Sequence, residues 1–245
     1  MKVYHGTSDR MLSSILSRGL RPRGKTSDGN WKSYPSRNDM VYLSTAYAPY
    51  FAWSAVDIKK DEKALLVEVD LDLLKVEKLY PDEDFIAQAL AKQKNVSIDA
   101  VHGKVRRTIS GYRHHAHDSL HGLGNIAHRG IVPVSAITRC VTIDLNHQDS
   151  LAQVCMDVSV SVLNYQILGA KYRSVIEWIF GDREDFDVGA GVPNEAHFAM
   201  LERSGMAGYG ERMREIWKNR VGIEVVLTSP ATTRKMKSVR AHANN

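Results

Sequence analysis

The stretch "KVYHGTSDRMLSSILSRGL" (residues 2–20) sets the expectation for the fold of the whole chain. Residues 2–5 alternate in polarity and predict a short strand. Apolar residues at positions 12, 15 and 16 fall on one face of a helix, and Gly19 is typical of a helix end. The segment His5-Gly6-Thr7 is therefore predicted to form a corner between a strand and a helix.

Composition places the chain among ordinary globular proteins and excludes several other classes. Of 245 residues, 43% are hydrophobic and 25% charged, which is enough apolar material for a buried core. No apolar run is long enough to predict a membrane span, and the sequence contains no pattern of a secretory signal. With two cysteines, a reducing cytoplasm is expected. The formal net charge of +5 mildly favours acidic partners such as nucleic acid.

The remaining patterns predict the α+β class. Strands are predicted at residues 40–44, 64–71, 125–129 and 140–145, with helices after residue 48, within residues 80–93 and 97–110, and briefly at 133–137. From residue 146 onward, including 210–227, the patterns are mainly helical. We therefore expect a mixed domain over residues 1–145 and a helical accessory domain over residues 146–245.

The predicted corner has the chemistry needed to hold a dinucleotide. Gly6 has no side chain, so its backbone can approach a flat ligand and offer a donor and an acceptor to a carboxamide. His5 and Thr7 can both form hydrogen bonds with ribose hydroxyls. The alternative is that His5 is a satisfied core histidine and that Gly6-Thr7 is a plain turn.

A second candidate region is rich in aromatic residues. Tyrosine, phenylalanine and tryptophan occur five times between residues 42 and 53. Two such rings facing each other could hold a pyridinium ring, although most of them are expected in the core. Ser44, at the end of the predicted strand, could reach a sugar hydroxyl.

Taken together, these motifs resemble the ADP-ribosyltransferase superfamily, which includes diphtheria-toxin-like enzymes, poly-ADP-ribose polymerases and tRNA 2′-phosphotransferases. The similarity rests on "HGT" (residues 5–7), the helix ending in Gly-Leu, "VYLS" (residues 41–44) and "GNIAHRGIVPVSAITRCVTID" (residues 124–144). Three short motifs in the family's order are more specific than any one alone. The resemblance covers roughly residues 1–145 and implies an ADP-ribosyltransferase-like domain with a split antiparallel sheet.

The resemblance also implies a role for each matching residue. His5 would hold the adenosine ribose and Gly6 the nicotinamide amide. Thr7 and Ser44 would flank the ribose. Tyr42 belongs to the second motif, and Tyr50 matches the second stacking tyrosine.

The third motif departs from the family at one important position. The glutamate that usually steadies the oxocarbenium ion falls on or near Asn125, and an amide carries no charge to stabilise a cation. His5, Tyr42 and Asn125 are therefore the candidate catalytic residues. A carboxylate from elsewhere, such as Asp118 or Glu68, could replace the missing one.

A histidine cluster in "HHAHDSLHGLGNIAH" (residues 114–128) allows three interpretations. Its spacing matches no familiar zinc motif, so we predict no metal. Together with Arg106, Arg107, Arg113 and Arg129, the histidines could contact phosphate. The third interpretation is a basic, solvated face.

The sequence thus predicts an NAD-dependent mono-ADP-ribosyltransferase acting on a protein or nucleic-acid acceptor. NAD is its predicted co-substrate, no membrane partner is expected, and a bacterial or phage effector would suit this enzyme. An RNA 2′-phosphotransferase and a catalytically inert module that binds NAD or a partner are the alternatives. The oligomeric state is not indicated by the sequence.

Overall fold

A computed structural model describes residues 1–24, 36–145, 173–182 and 218–228, together with four single positions between 203 and 215. The strands are β1 (Lys2–Ser8), β2 (Met40–Ser44), β3 (Ala64–Asp70), β4 (Leu79–Pro81), β5 (Asn125–Arg129), β6 (Ile137–Ile143) and β7 (Ile223–Thr228). The helices are α1 (Leu12–Arg18), α2 (Ala48–Ala55), α3 (Glu83–Lys94), α4 (Ile98–Thr108), α5 (Ala116–Gly122) and α6 (Arg173–Ile179). In this part of the chain, no helix has the length and apolar character needed to cross a bilayer.

All seven strands form one antiparallel sheet in the order β4-β5-β2-β1-β3-β6-β7. Helices and an antiparallel sheet in one chain confirm the predicted α+β class. Strand β3 is a nearly continuous apolar run, and both β3 and β6 are almost fully buried. Burial on both faces explains why these strands lack the polar alternation of a half-exposed sheet.

The sheet separates at its centre between β1 and β2. Strand β1 pairs with β3 along its whole length, from Lys2↔Asp70 to Ser8↔Ala64. On its other side, β1 pairs with β2 at a single register position, Tyr4↔Ser44. Beyond Tyr4 the backbone edge of β1 therefore has no strand partner in β2, and this separation is called the split below.

Gly6 lies in β1 where the strand touches helix α2. A Cβ atom on Gly6 would lie 1.9 Å from the Ala48 carbonyl oxygen and 2.6 Å from the Ala52 nitrogen. Such distances are far below van der Waals contact, and both atoms belong to the helix backbone. Only glycine permits this strand to lie so close to α2.

The predicted strand end at His5 is wrong, because β1 continues to Ser8. Gly6 and Thr7 are strand residues paired with Leu66 and Leu65 of β3, and this pairing holds them extended. Strand β6 also begins earlier than predicted, at Ile137, directly after a short 3₁₀ turn at Val134–Ala136.

The predicted helical pattern is wrong for residues 223–228, which form the edge strand β7 beside β6. β-branched residues such as Val225 and Val226 suit a strand, and pairing with β6 decides between the two states. Helix α6 packs Ile176, Trp178 and Ile179 into the cluster that contains Tyr4 and Leu66. The division at residue 145 stays a prediction, since most of residues 146–245 lie outside the described part.

A buried ion pair joins the C-terminal part to the sheet. The Arg139 guanidinium of β6 donates to the fully buried Glu68 carboxylate of β3, with Nε and Oε1 3.1 Å apart. Its Nη1 also donates to the Phe180 carbonyl (3.2 Å) and to Asp182 (2.8 Å). The Arg139 guanidinium contacts both oxygens of the Glu68 carboxylate, so the structure does not support Glu68 as the missing catalytic carboxylate.

We expect Gly6→Ala to destabilise the protein. The added methyl would force β1 away from α2, and overpacking of this kind costs about 1–3 kcal/mol. For a chain of this size the melting temperature should fall by about 2–4 °C for each kcal/mol. Gly111→Ala is the matched control, because a Cβ there meets no atom within 4 Å. Equal melting temperatures for both variants would contradict the proposed contact.

Candidate functional site

His5 and Tyr42 lie next to each other across the split. The His5 Nδ1 atom is 2.9 Å from the Tyr42 backbone carbonyl oxygen. A carbonyl oxygen only accepts hydrogen bonds, so Nδ1 carries the proton and Nε2 presents its lone pair. Burial lowers the pKa of His5, which keeps the imidazole neutral. The side chain can therefore accept a hydrogen bond from a hydroxyl through Nε2.

The Tyr42 hydroxyl forms a hydrogen bond with the buried carboxylate of Glu83. It donates to Glu83 Oε1 at 2.6 Å and accepts the Arg37 backbone N–H at 2.8 Å. Burial, and then the nearby Glu83 charge, raise the pKa of Tyr42 well above its ordinary value. Tyr42 remains a neutral hydrogen-bond donor, and its hydroxyl orients the carboxylate.

Glu83 is only 2% exposed. Within the described residues, only one of its two carboxylate oxygens has hydrogen-bond partners. Its Oε1 accepts from Tyr42 and, at 3.0 Å, from the Arg37 N–H. Its Oε2 is buried and has no hydrogen-bond partner. An unpaired buried acceptor is costly, and it marks a place where a donor would be bound.

Asn125 lies in the same region, at the start of β5. It is paired in register with Ser44 of β2, and the pairing of Pro81 with Ile126 brings Asp82 beside it. Burial raises the pKa of Asp82, and the nearby Asn125 side chain partly offsets that effect. The Asn125 Oδ1 atom is buried without a partner. The Ser119 hydroxyl links the two backbones: it accepts the Asp82 N–H (3.0 Å) and donates to the Asn125 carbonyl (2.8 Å).

The turn from β4 into α3 therefore provides consecutive acidic residues beside the third motif. Burial raises the pKa of Asp82, Glu83 and Asp84, and the charges of neighbouring carboxylates add to this effect at Asp82 and Glu83. Asp82 also caps α3 by accepting the Asp84 N–H at 2.9 Å. Raised carboxyl pKa values together with orphan acceptors are typical of functional sites.

Sequence reasoning missed Asp82 and Glu83. The run "PDED" (residues 81–84) matches the acidic first turn that suits a helix dipole, so it does not stand out as a functional motif. One capping residue explains Asp82, but it does not explain a second acid at position 83. That surplus of acids was the available signal.

The other residues predicted to contact NAD are Thr7, Ser44 and Tyr50, and they differ in burial and in hydrogen bonding. Thr7 is half-buried in β1. Ser44 is 2% exposed, and its Oγ accepts the N–H groups of Ala46 (3.1 Å) and Tyr47 (2.7 Å), which shapes the turn into α2. Tyr50 is half-buried on α2, where its ring meets Phe51 edge to face at 5.6 Å. Their predicted contacts with NAD stay predictions.

The alternative carboxylates named from the sequence lie elsewhere. Asp118 is exposed and accepts from His115 Nδ1 at 2.8 Å. Glu68, Tyr4, Ser44 and Asn125 form one row across four adjacent strands. Glu68 is thus three strand spacings, roughly 14 Å, from Asn125.

The histidine cluster is dispersed. His128 is buried in β5, while His114 and His117 line a groove of about 430 Å³. The other residues along this groove are Val76, Leu79, Ser110, Gly111, Arg113 and Ala116. Within the described ranges, no group of three His, Cys, Asp or Glu side chains is arranged to hold a metal ion.

Comparisons with known proteins found a weak structural similarity. Neither a family model nor a curated protein matches the chain. Among solved structures, the chain is similar to one named EcPltA, with 12% identity and a TM-score of 0.30. The alignment covers 58% of this chain and 75% of that chain. A similarity this low supports no statement about family or activity.

We expect Asp82→Asn to stabilise the protein at neutral pH. The raised pKa means that the folded state binds a proton that the unfolded state has released, so stability is lost as pH rises above the ordinary carboxyl range. Asparagine keeps the cap and removes the buried charge. The gain in melting temperature should be present at pH 8 and shrink toward pH 4. Asp118→Asn, on an exposed carboxylate, is the control and should change little. A lower melting temperature for Asp82→Asn at pH 8 would contradict this assignment.

Proposed function

We propose that this chain is an NAD-dependent mono-ADP-ribosyltransferase that transfers ADP-ribose to a protein or nucleic-acid acceptor and releases nicotinamide. One observation carries the proposal: the buried Glu83 carboxylate, held by Tyr42 of the second motif, has an unsatisfied oxygen. Glu83 would thereby supply the charged carboxylate that the amide side chain of Asn125 lacks.

The reaction requires electrostatic stabilisation more than nucleophilic help. The C1′–N bond of NAD breaks, and its electron pair leaves with the nicotinamide nitrogen, which becomes neutral. A lone pair of the acceptor forms the new bond to C1′, and the acceptor's proton passes to solvent. Positive charge develops on the ribose between these events, so a nearby carboxylate lowers the barrier.

The two orphan acceptors suit a ribose. Its 2′- and 3′-hydroxyls are two neighbouring donors, and Glu83 Oε2 and Asn125 Oδ1 are two buried acceptors without partners. A hydrogen bond from the 2′-hydroxyl to Glu83 would place negative charge beside the developing cation. Because both oxygens are buried, the proposal requires the covering residues to move on binding.

The N-terminal motif would hold the nicotinamide amide at Gly6 and the adenosine ribose at His5. The Gly6 backbone would bind the nicotinamide carboxamide through the edge of β1 that is unpaired with β2. The neutral His5 imidazole would accept a ribose hydroxyl through Nε2. Asn125 in place of a glutamate favours transfer of single units over polymer growth.

We expect Glu83→Gln to lower the rate of ADP-ribose transfer by about 10²–10³-fold, the usual loss when one stabilising group is removed. NAD affinity should change little, since glutamine retains the shape of the side chain. The measurement is transfer of labelled NAD to cell lysate, with binding followed in parallel. Glu77→Gln, on an exposed side chain, is the control. Wild-type rates in Glu83→Gln would refute the assigned role.

We expect His5→Ala to abolish labelling while the chain remains folded, because the acceptor for the ribose is lost. His121→Ala, which removes an exposed imidazole, should retain full activity. Full activity in His5→Ala with an unchanged NAD affinity would contradict the site.

Treatment of the labelled lysate identifies the acceptor. Label lost with nuclease indicates a nucleic-acid acceptor, and label lost with protease indicates a protein. NAD binding without any label would favour an inert module. Release of a cyclic phosphate product from 2′-phosphorylated RNA would instead indicate a phosphotransferase.

A further inference from the structure

The groove between β4 and α5 combines apolar and cationic side chains, and it shares no residue with the site assigned to NAD. Its volume of about 430 Å³ suits a small planar molecule. Leu79 and Ala116 are buried and line it with apolar surface, and Val76 adds a side chain that is 70% exposed. Apolar surface left open to solvent in a groove favours an occupant with a flat apolar face.

The charge along this groove is positive. Arg113 and His114 lie in the 3₁₀ segment before α5, and both side chains are exposed. Arg113 Nη1 donates to the backbone carbonyl of Glu77 at 3.5 Å, a contact that leaves the guanidinium charge in place. None of the described residues that line the groove is acidic, and the nearby Asp118 carboxylate is held by His115 Nδ1 at 2.8 Å. The groove therefore favours an anionic occupant.

Single-stranded nucleic acid has both of these properties. An unpaired base is a flat ring joined to a negatively charged phosphate, and such bases stack on histidine rings and on guanidinium planes. The His114 ring is held against the His115 ring, with 4.0 Å between their centroids. The carboxylates of an acidic peptide would match the charge of Arg113 but would leave the apolar surface uncovered.

Strand β4 connects the groove to the candidate site. Leu79 lines the groove, and Asp82, three residues further along the chain, lies beside Asn125. Three residues span at most about 11 Å. At about 3.4 Å per nucleotide of a stacked strand, roughly three nucleotides cover this distance. A strand with one base in the groove could therefore reach the site where NAD would react.

We infer that this groove binds an unpaired base of a single-stranded nucleic acid, and that the bound strand is the acceptor of the proposed transfer. The role as acceptor rests on the proposed function, whereas the binding rests on the groove alone. The base would stack on His114 above the apolar surface, and Arg113 would contact the adjoining phosphate. This inference selects nucleic acid from the two acceptor classes.

The first test measures binding of a short fluorescent single-stranded RNA, and of a DNA of the same sequence, to the full chain by anisotropy. We expect at least one of them to bind, and its duplex to bind more weakly because its bases are already stacked. His114→Ala should weaken binding about fivefold or more, the usual loss of one stacking contact. His121→Ala, an exposed imidazole outside the groove, is the matched control and should change the affinity less than twofold.

The second test uses the salt dependence of the same binding. Arg113→Gln should weaken binding about tenfold and lower the slope of log affinity against log salt by about one, because one phosphate contact is lost. Arg107→Gln removes an exposed charge from α4 outside the groove and should leave the slope unchanged. All four side chains are exposed, so equal melting temperatures verify that the variants are folded.

The outcomes separate this inference from the proposed function. No binding of either strand to the wild type, or equal losses in the groove and control variants, would overturn the groove even if NAD is turned over. Polyglutamate that binds as tightly as the nucleic acid, with no effect of His114→Ala, would assign the groove to an acidic protein and overturn it. Nucleic-acid binding that depends on His114 and Arg113, together with no ADP-ribose transfer, would keep the groove and refute the transferase.

Discussion

The approach of strand β1 to helix α2 is the constraint on which the rest of the structure depends. Gly6 permits it, because the Ala48 carbonyl occupies the space of a side chain at that position. With β1 fixed against α2 and paired fully with β3, it meets β2 only at Tyr4↔Ser44. The split that results places His5 beside the Tyr42 carbonyl.

In the proposed function, the buried carboxylate of Glu83 would take the place of the charged residue that the third motif lacks. Strand β5 presents the amide Asn125 where the resembling family has a glutamate. The antiparallel pairing of β4 with β5 brings the turn at Asp82 and Glu83 to the same place. Holding these acids in a buried position raises their pKa values and costs stability. Such a cost is common where a site must be organised before its ligand binds.

Much of the fold could be predicted from the sequence, because short-range patterns govern it. Strands at residues 40–44 and 125–129, and the helices around α3 and α4, follow from periodicity and from acidic and capping residues. Strand β7 could not be predicted, because pairing with a distant β6 decides its state. The extension of β1 past His5 also depends on pairing with a distant strand, because β3 holds Gly6 and Thr7 in an extended conformation.

Two residues of the candidate site come from different sequence motifs and lie in contact: His5 and Tyr42. Their roles toward NAD stay predictions. Glu83 was not identified, because only the fold reveals that this side chain is buried and hydrogen-bonded to Tyr42 across 41 residues. The measurement that tests the central claim most directly is a crystal structure of the chain with NAD. We expect the nicotinamide in the split beside Gly6, with a ribose hydroxyl within hydrogen-bond distance of Glu83. A dinucleotide bound away from the split, or none bound at saturating NAD, would contradict the account.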